Sequence, residues 1–280
     1  MKNVSALSLV ALLGCASVQE QVPQIVPVLP GTAAAVVVSL TEVNPKAYNG
    51  WLGACPGSDI DGERVAAACR FAGYTSVVTL TNSQATSFRV LSQCALAATA
   101  LKPAADKGLK PILLLYVSGH GGQTPNLTGT EADGFDETLC LYDVPLVDDL
   151  LWQALCQVPK GIRVVFISDT CNSGSNYRFP KSYSREMRAR SSRAPAELKC
   201  DFLHIGGCAD GFSSYGSAIK GGELTFALFV ASGGPTNKTW KEWFFSARDV
   251  MPRNQVPVFE VMNTQETLLC CPIEDYPALK

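Results

Sequence analysis

Two unbroken apolar runs in this chain stop abruptly, and each then delivers a reactive side chain. Residues 111–123 read PILLLYVSGHGGQ and deliver His120; residues 162–175 read IRVVFISDTCNSGS and deliver Cys171. An aliphatic, β-branched run that ends at Ser-Gly or Asp-Thr is a buried strand meeting a loop. In a parallel sheet, functional groups gather where strands end at their carboxyl edge. Two such neighbours bring an imidazole and a thiol to one edge. A thiol is a poor nucleophile until it is deprotonated, and a nearby imidazole does that. The glycines around both residues let another backbone come close. The chain has two histidines. The second, His204, lies inside the apolar run DFLHIGG and reads as a core residue.

The rest of the chain supplies elements that would flank these strands. Residues 33–43 are a continuous apolar run, hence a buried first strand, and 76–81 a second. Between them Asp61 opens a helix with Val65, Ala68, Cys69 and Ala72 on one face. Ser83 caps a helix through Leu101. The stretch 121–137 reads as a polar loop, and TLCLYD with PLVDD as a small hairpin. A helix covers about 148–157. DFLHIGG (201–207) is a strand, 223–231 and 239–251 are amphipathic helices, and 256–262 is the last strand. Strand alternating with helix predicts right-handed parallel crossovers. The expected fold is α/β, one sandwich with a mostly parallel central sheet of about six strands.

Composition narrows the function classes. Hydrophobic residues make up 47% of the chain and charged ones 17%, which favours a sizeable core over bulk disorder. A net charge of −2 gives no case for nucleic acid or an anionic membrane surface. Eleven cysteines occur without a single C-x-x-C pair, so neither a zinc ribbon nor a thioredoxin-type site is supported.

Four ordered motifs, SGHGGQ, DGFDET, LVDD and DTCNSGS, resemble the metacaspase branch of the caspase-like cysteine peptidases. The resemblance covers roughly residues 33–263. The interval from His120 to Cys171 agrees with the caspase spacing of about 50 residues. It implies a caspase-like α/β/α sandwich and a cysteine endopeptidase acting on protein or peptide substrates. Cys171 is the implied nucleophile and His120 the acid/base. The backbone N–H groups of Gly121 and Cys171 are the implied oxyanion donors. In metacaspases the positions of Ser118 and Asp169, each two residues before a catalytic residue, line a pocket for Arg or Lys before the scissile bond. A further pocket acid follows a Cys in the loop after the first strand. Cys55 and Asp61 match by context, with Asp59 as the rival. Asp210, after the fifth strand, flanks the same pocket or makes a turn.

Asp136, Asp148 and Asp149 match positions that bind calcium in many metacaspases, and clustered carboxylates suit that ion. Where the family has a fourth acidic ligand this chain has Arg178. The alternative for 148–149 is a helix N-terminus. The large segment would run over 33–177 and the small one over 200–280. A basic linker, 178–199, would be cut by the enzyme itself. At the other end, residues 1–20 look like a bacterial lipoprotein signal with Cys15 accepting lipid, followed by a proline-rich tether over 21–32. That predicts a protein at the cell envelope whose only membrane contact is an N-terminal lipid; the alternative is a disordered or packed N-terminus on a cytoplasmic protein, and in either case a monomer is expected. Two other readings stay open: a non-catalytic scaffold of the same fold, and a peptidase with another preference before the scissile bond.

Overall fold

Alternation along the central strands divides their side chains between two cores. On β1 (Ala33–Ser39) residues 34, 36 and 38 face one core and 33, 35 and 37 the other. On β3 (Ile112–Ser118) and β7 (Arg163–Asp169) the same period of two holds. The computed structural model describes residues 32–126, 134–177, 197–235 and 238–263. Cys15 and the leader, and Arg178 with most of the basic linker, lie outside the described residues.

The central sheet has six strands in the order β11-β8-β7-β3-β1-β2. Here β2 is Ser76–Thr81, β8 Asp201–Gly206 and β11 Val258–Met262. All neighbours pair parallel except β11, which runs antiparallel to β8. Helices α2 (Ser87–Asp106) and α3 (Asp148–Leu155) cover one face. Helices α1 (Ser58–Phe71), α4 (Glu223–Phe226, continuing as a π turn over Ala227–Ala231) and α5 (Trp240–Arg248) cover the other. This is the expected sandwich.

Several boundaries differ from the sequence reading. Helix α1 starts at Ser58, so Asp61 lies inside its first turn and does not open it. The cap of α2 is Thr86, whose side chain accepts from the Arg89 N–H at 3.3 Å; Ser83 belongs to a preceding 3-10 turn. The stretch after His120 is not a polar loop throughout. Gly121–Pro125 forms β4, pairing antiparallel with β5 (Phe135–Cys140), which pairs in turn with β6 (Pro145–Val147). Composition misled there, because GGQTP is mostly Gly, Gln and Pro, with Thr124 its one β-branched residue, and is recruited by its neighbour.

Candidate active site

Strands β3 and β7 end level, with Ser118 opposite Asp169 in the parallel register. His120 and Cys171 each stand two residues beyond that pair, at the carboxyl edge of adjacent central strands. The loops carrying them touch backbone to backbone. A Cβ on Gly121 would sit 1.8 Å from the Cys171 carbonyl oxygen, so only glycine fits. Nε2 of His120 lies 3.1 Å from the Ala54 carbonyl oxygen. A carbonyl only accepts, so Nε2 carries hydrogen and the neutral ring keeps its lone pair on Nδ1. The indole of Trp51 packs on the imidazole with ring centroids 4.8 Å apart.

Cys171 is half-buried, its Sγ 3.8 Å from the Ser214 carbonyl oxygen. Cys55, Cys140 and Cys208 all lie within its electrostatic range. Burial pushes each of these three thiols up, Cys140 to about 11, which keeps them as neutral neighbours. Cys55 also feels Asp61 and Asp169.

Asp61 and Asp169 form a buried acid pair under this edge, 0% and 5% exposed. Period two sends Ser118 and Asp169 to the α1/α4 face, where Asp61 waits on α1. Asp61 Oδ2 accepts from Ser118 Oγ at 2.9 Å and from the Gly222 N–H at 2.8 Å. Its Oδ1 pairs with Arg64 at 3.2 Å. Asp169 Oδ1 accepts from Ser214 Oγ at 2.7 Å, and Oδ2 from the N–H and Oγ1 of Thr225 at 2.9 and 2.8 Å. A Cβ on Gly221 or Gly222 would come within 2.0 or 2.1 Å of these carboxylates. Burial, then the charge of Asp169, pushes the Asp61 carboxyl up to about 7. Burial likewise raises Asp169, opposed by the hydrogen bonds from Ser214 and Thr225. Two carboxylates and one resident guanidinium leave an excess of negative charge when both acids ionise.

A second acid cluster lies where β5 meets the first turn of α3. Asp148 is 0% exposed and Asp136 7%. Asp148 Oδ2 and Asp149 Oδ1 are buried without a hydrogen-bond partner. Burial, with the charges of Asp149, Glu137 and Asp136 adding to it, pushes Asp148 up to about 9. Burial and Asp136 push Asp149 to about 6. Hard oxygens left without donors suit calcium. The spacing is less favourable: among the described residues no three His, Cys, Asp or Glu side chains converge closely enough to hold a metal ion. The orphaned oxygens leave this cluster without the donors that satisfy Asp61 and Asp169.

The remaining expected site residues separate. Asp59 is exposed on α1. Asp210 turns both oxygens to the loop after Cys171, accepting from the Gly174 and Ser175 N–H groups at 2.7 and 3.0 Å and from Ser175 Oγ at 2.7 Å. It stands in the turn closed by the Phe212 N–H on the Ala209 carbonyl at 3.1 Å and holds the nucleophile loop from there. Sequence reasoning missed Glu137, whose Oε2 accepts from Ser175 Oγ at 3.0 Å. Its neighbour Asp136 was found, and the charges of both bear on Asp148. It also missed Arg64, Ser214 and Thr225. Thr225 reaches Asp169 across 56 residues of sequence, and no local pattern announces that contact.

The caspase-domain family matches residues 42–268 of the chain. Metacaspase-1 of Schizosaccharomyces pombe is 34% identical over 99 residues, which cover 34% of this chain and 23% of that protein. Metacaspase-1 of Saccharomyces cerevisiae is 28% identical over 190 residues, covering 64% of this chain and 43% of that protein. The chain thus spans less than half the length of these relatives. A solved structure of a Geobacter sulfurreducens protein superposes with a TM-score of 0.70 at 31% identity, covering 85% of this chain and 96% of that one. Caspase-1 of Spodoptera frugiperda superposes at 0.54 with 15% identity, covering 85% and 88%, and shares the fold.

Proposed function

The chain belongs to the caspase-domain peptidase family, and from that premise we propose that it is a cysteine endopeptidase cutting after Arg or Lys through Cys171 and His120. The observation that carries the specificity is the buried Asp61–Asp169 pair beneath the edge where both residues stand. Buried carboxylates need a counter-charge or they hold a proton. A substrate guanidinium or ammonium supplies the charge that Arg64 alone does not balance, and a substrate carboxylate would meet repulsion.

The chemistry follows from the atoms available. Sγ of Cys171 attacks the scissile carbonyl carbon while its proton passes to Nδ1 of His120. The developing oxyanion is met by the N–H groups of Gly121 and Cys171. As the C–N bond breaks, the imidazolium protonates the leaving amine, and a thioester remains on Cys171. Water then attacks the thioester, His120 accepts its proton, and the acid product leaves as the thiol is restored. The Ala54 carbonyl fixes the tautomer, leaving Nδ1 as the nitrogen free to take the proton.

Two regulatory readings accompany this. Calcium would be drawn to Asp148 and Asp149, whose buried Oδ2 and Oδ1 have no donor, with Asp136 nearby, and binding would have to draw these acids closer together. Glu137 joins that cluster to Ser175 on the nucleophile loop, which gives occupancy a route to activity. Cleavage within 178–199 would separate the large and small segments. The deciding experiment is a panel of short fluorogenic peptides ending in Arg, Lys, Ala or Asp, assayed with and without calcium. Arg and Lys peptides should be cut, and Cys171→Ala and His120→Ala should each lose at least about a thousandfold in kcat. A preference for Asp, or activity that survives either substitution, refutes the reading.

A further inference from the structure

Trp51 has no obvious duty in the core. It is 44% exposed and the adjacent Leu52 63% exposed, whereas Trp243 is 3% exposed and packed inside. Yet Trp51 is held firmly. Its N–H donates to the Tyr48 carbonyl at 3.0 Å, and Gly50 N–H donates to Pro45 at 2.7 Å. The Tyr48 ring meets the indole edge-on at 5.8 Å, and Tyr48 Oη is itself fixed on the Leu141 carbonyl at 2.5 Å. Behind it, a Cβ on Gly53 would lie 3.3 Å from the indole and 2.7 Å from Val43. This is a rigid aromatic platform, open on one side and 4.8 Å from the His120 ring.

His120 hands its proton to the leaving amine, so that nitrogen must come within about 3 Å of Nδ1. The residue bearing the nitrogen is the one directly after the scissile bond. Its side chain departs one bond further on and falls beside the imidazole. The substrate residue before the bond goes the other way, toward Asp61 and Asp169. We propose that Trp51, extended by Leu52, forms the subsite for an apolar side chain immediately after the scissile bond. The proposal rests on the peptidase reading and adds a second specificity determinant to it. A flat aromatic face removes apolar area from water without demanding one shape, so Leu, Met and Phe would all be accepted. An acidic residue gains no partner there.

Internally quenched peptides with Arg before the bond, and Ala, Leu, Phe or Asp after it, test this. Wild-type protein should favour Leu and Phe over Ala and Asp by about tenfold in kcat/KM. Trp51→Ala should flatten that profile to within about twofold, and Trp51→Phe should restore most of it. The ratio between peptides is read within one variant, so partial loss of folded protein cancels. A flat wild-type profile, or a preference that persists in Trp51→Ala, overturns the subsite. A peptidyl-arginyl chloromethylketone, which alkylates the nucleophile without a leaving residue, separates the two readings. Protein that takes the label on Cys171 but cuts without discrimination overturns the subsite alone; protein that neither labels nor cuts overturns both.

Discussion

The molecule buries two sets of acids within one domain and treats them in opposite ways. Every oxygen of Asp61 and Asp169 has a donor: Ser118, Gly222 and Arg64 for one, Ser214 and Thr225 for the other. At β5 and α3, Asp148 Oδ2 and Asp149 Oδ1 have none. Both sets are pushed up by burial, Asp61 to about 7 and Asp148 to about 9. The difference lies in organisation. The first pair is a finished cradle, fully bonded and buried beneath the edge where Cys171 stands. The second is an unfinished shell, with oxygens that lack donors and that favour a proton over a charge.

Neutralising the finished cradle should produce the largest effect. Asp169→Asn keeps the shape and removes the charge, and the same holds for Asp61→Asn. Each should cut kcat/KM for Arg peptides by about a hundredfold, the scale for breaking a buried charge pair. Asp148→Asn should fall far short of that loss in kcat/KM. Equal losses from both sites would erase the distinction between them.

A guanidinium inhibitor such as benzamidine sharpens the comparison without involving the chemical step. Asp61 titrates near 7, and only its charged form attracts the cation. The inhibitor should therefore bind about tenfold more weakly at pH 6 than at pH 8, since the ionised fraction falls by that factor. Asp61→Asn should remove the slope along with most of the affinity. A competition constant that is level across this range in wild-type protein speaks against Asp61 as a pocket acid.

The unfinished shell should show itself in stability. Asp148 titrates near 9 in the folded chain and near 4 when unfolded. Between those values the folded state holds a proton that the unfolded state has lost, so stability falls as pH rises. Asp148→Asn should raise Tm at pH 8 and flatten that decline. Calcium at about ten times its dissociation constant should raise Tm of the wild type by about 3 °C at pH 8, and by less at pH 6, where a proton competes. Calorimetry that finds no calcium effect at pH 8 would remove the cation and leave a helix N-terminus.

Much of this was legible in the chain because it depends on period and order. The runs ending at His120 and Cys171 announced adjacent parallel strands, and period two put Ser118 and Asp169 on one face. What remained hidden was tertiary. GGQTP becomes a strand only because β5 lies beside it. Thr225 and Ser214 meet Asp169 only in the folded chain, 56 and 45 residues away in sequence. Ala54 and Trp51 act through a backbone oxygen and a ring face, and neither is encoded by a motif.

The smallest expected effect concerns two acids that the sequence could not separate. Asp59 and Asp61 both follow Cys55, and both suit the first turn of a helix. A helix turns about 100° per residue, so positions two apart point to nearly opposite sides. Asp61 is 0% exposed and bonded to Ser118, while Asp59 is exposed. A charge in water is screened within about 8 Å at physiological salt, and its reach into the pocket is correspondingly short. Asp59→Asn should therefore change kcat/KM for Arg peptides by less than about twofold, and that small change should vanish as salt is raised. Asp61→Asn should keep its roughly hundredfold loss at every ionic strength, because a buried charge is screened far less. If the two substitutions proved equally damaging, or if salt rescued Asp61→Asn, the acid in the pocket would have to be reassigned.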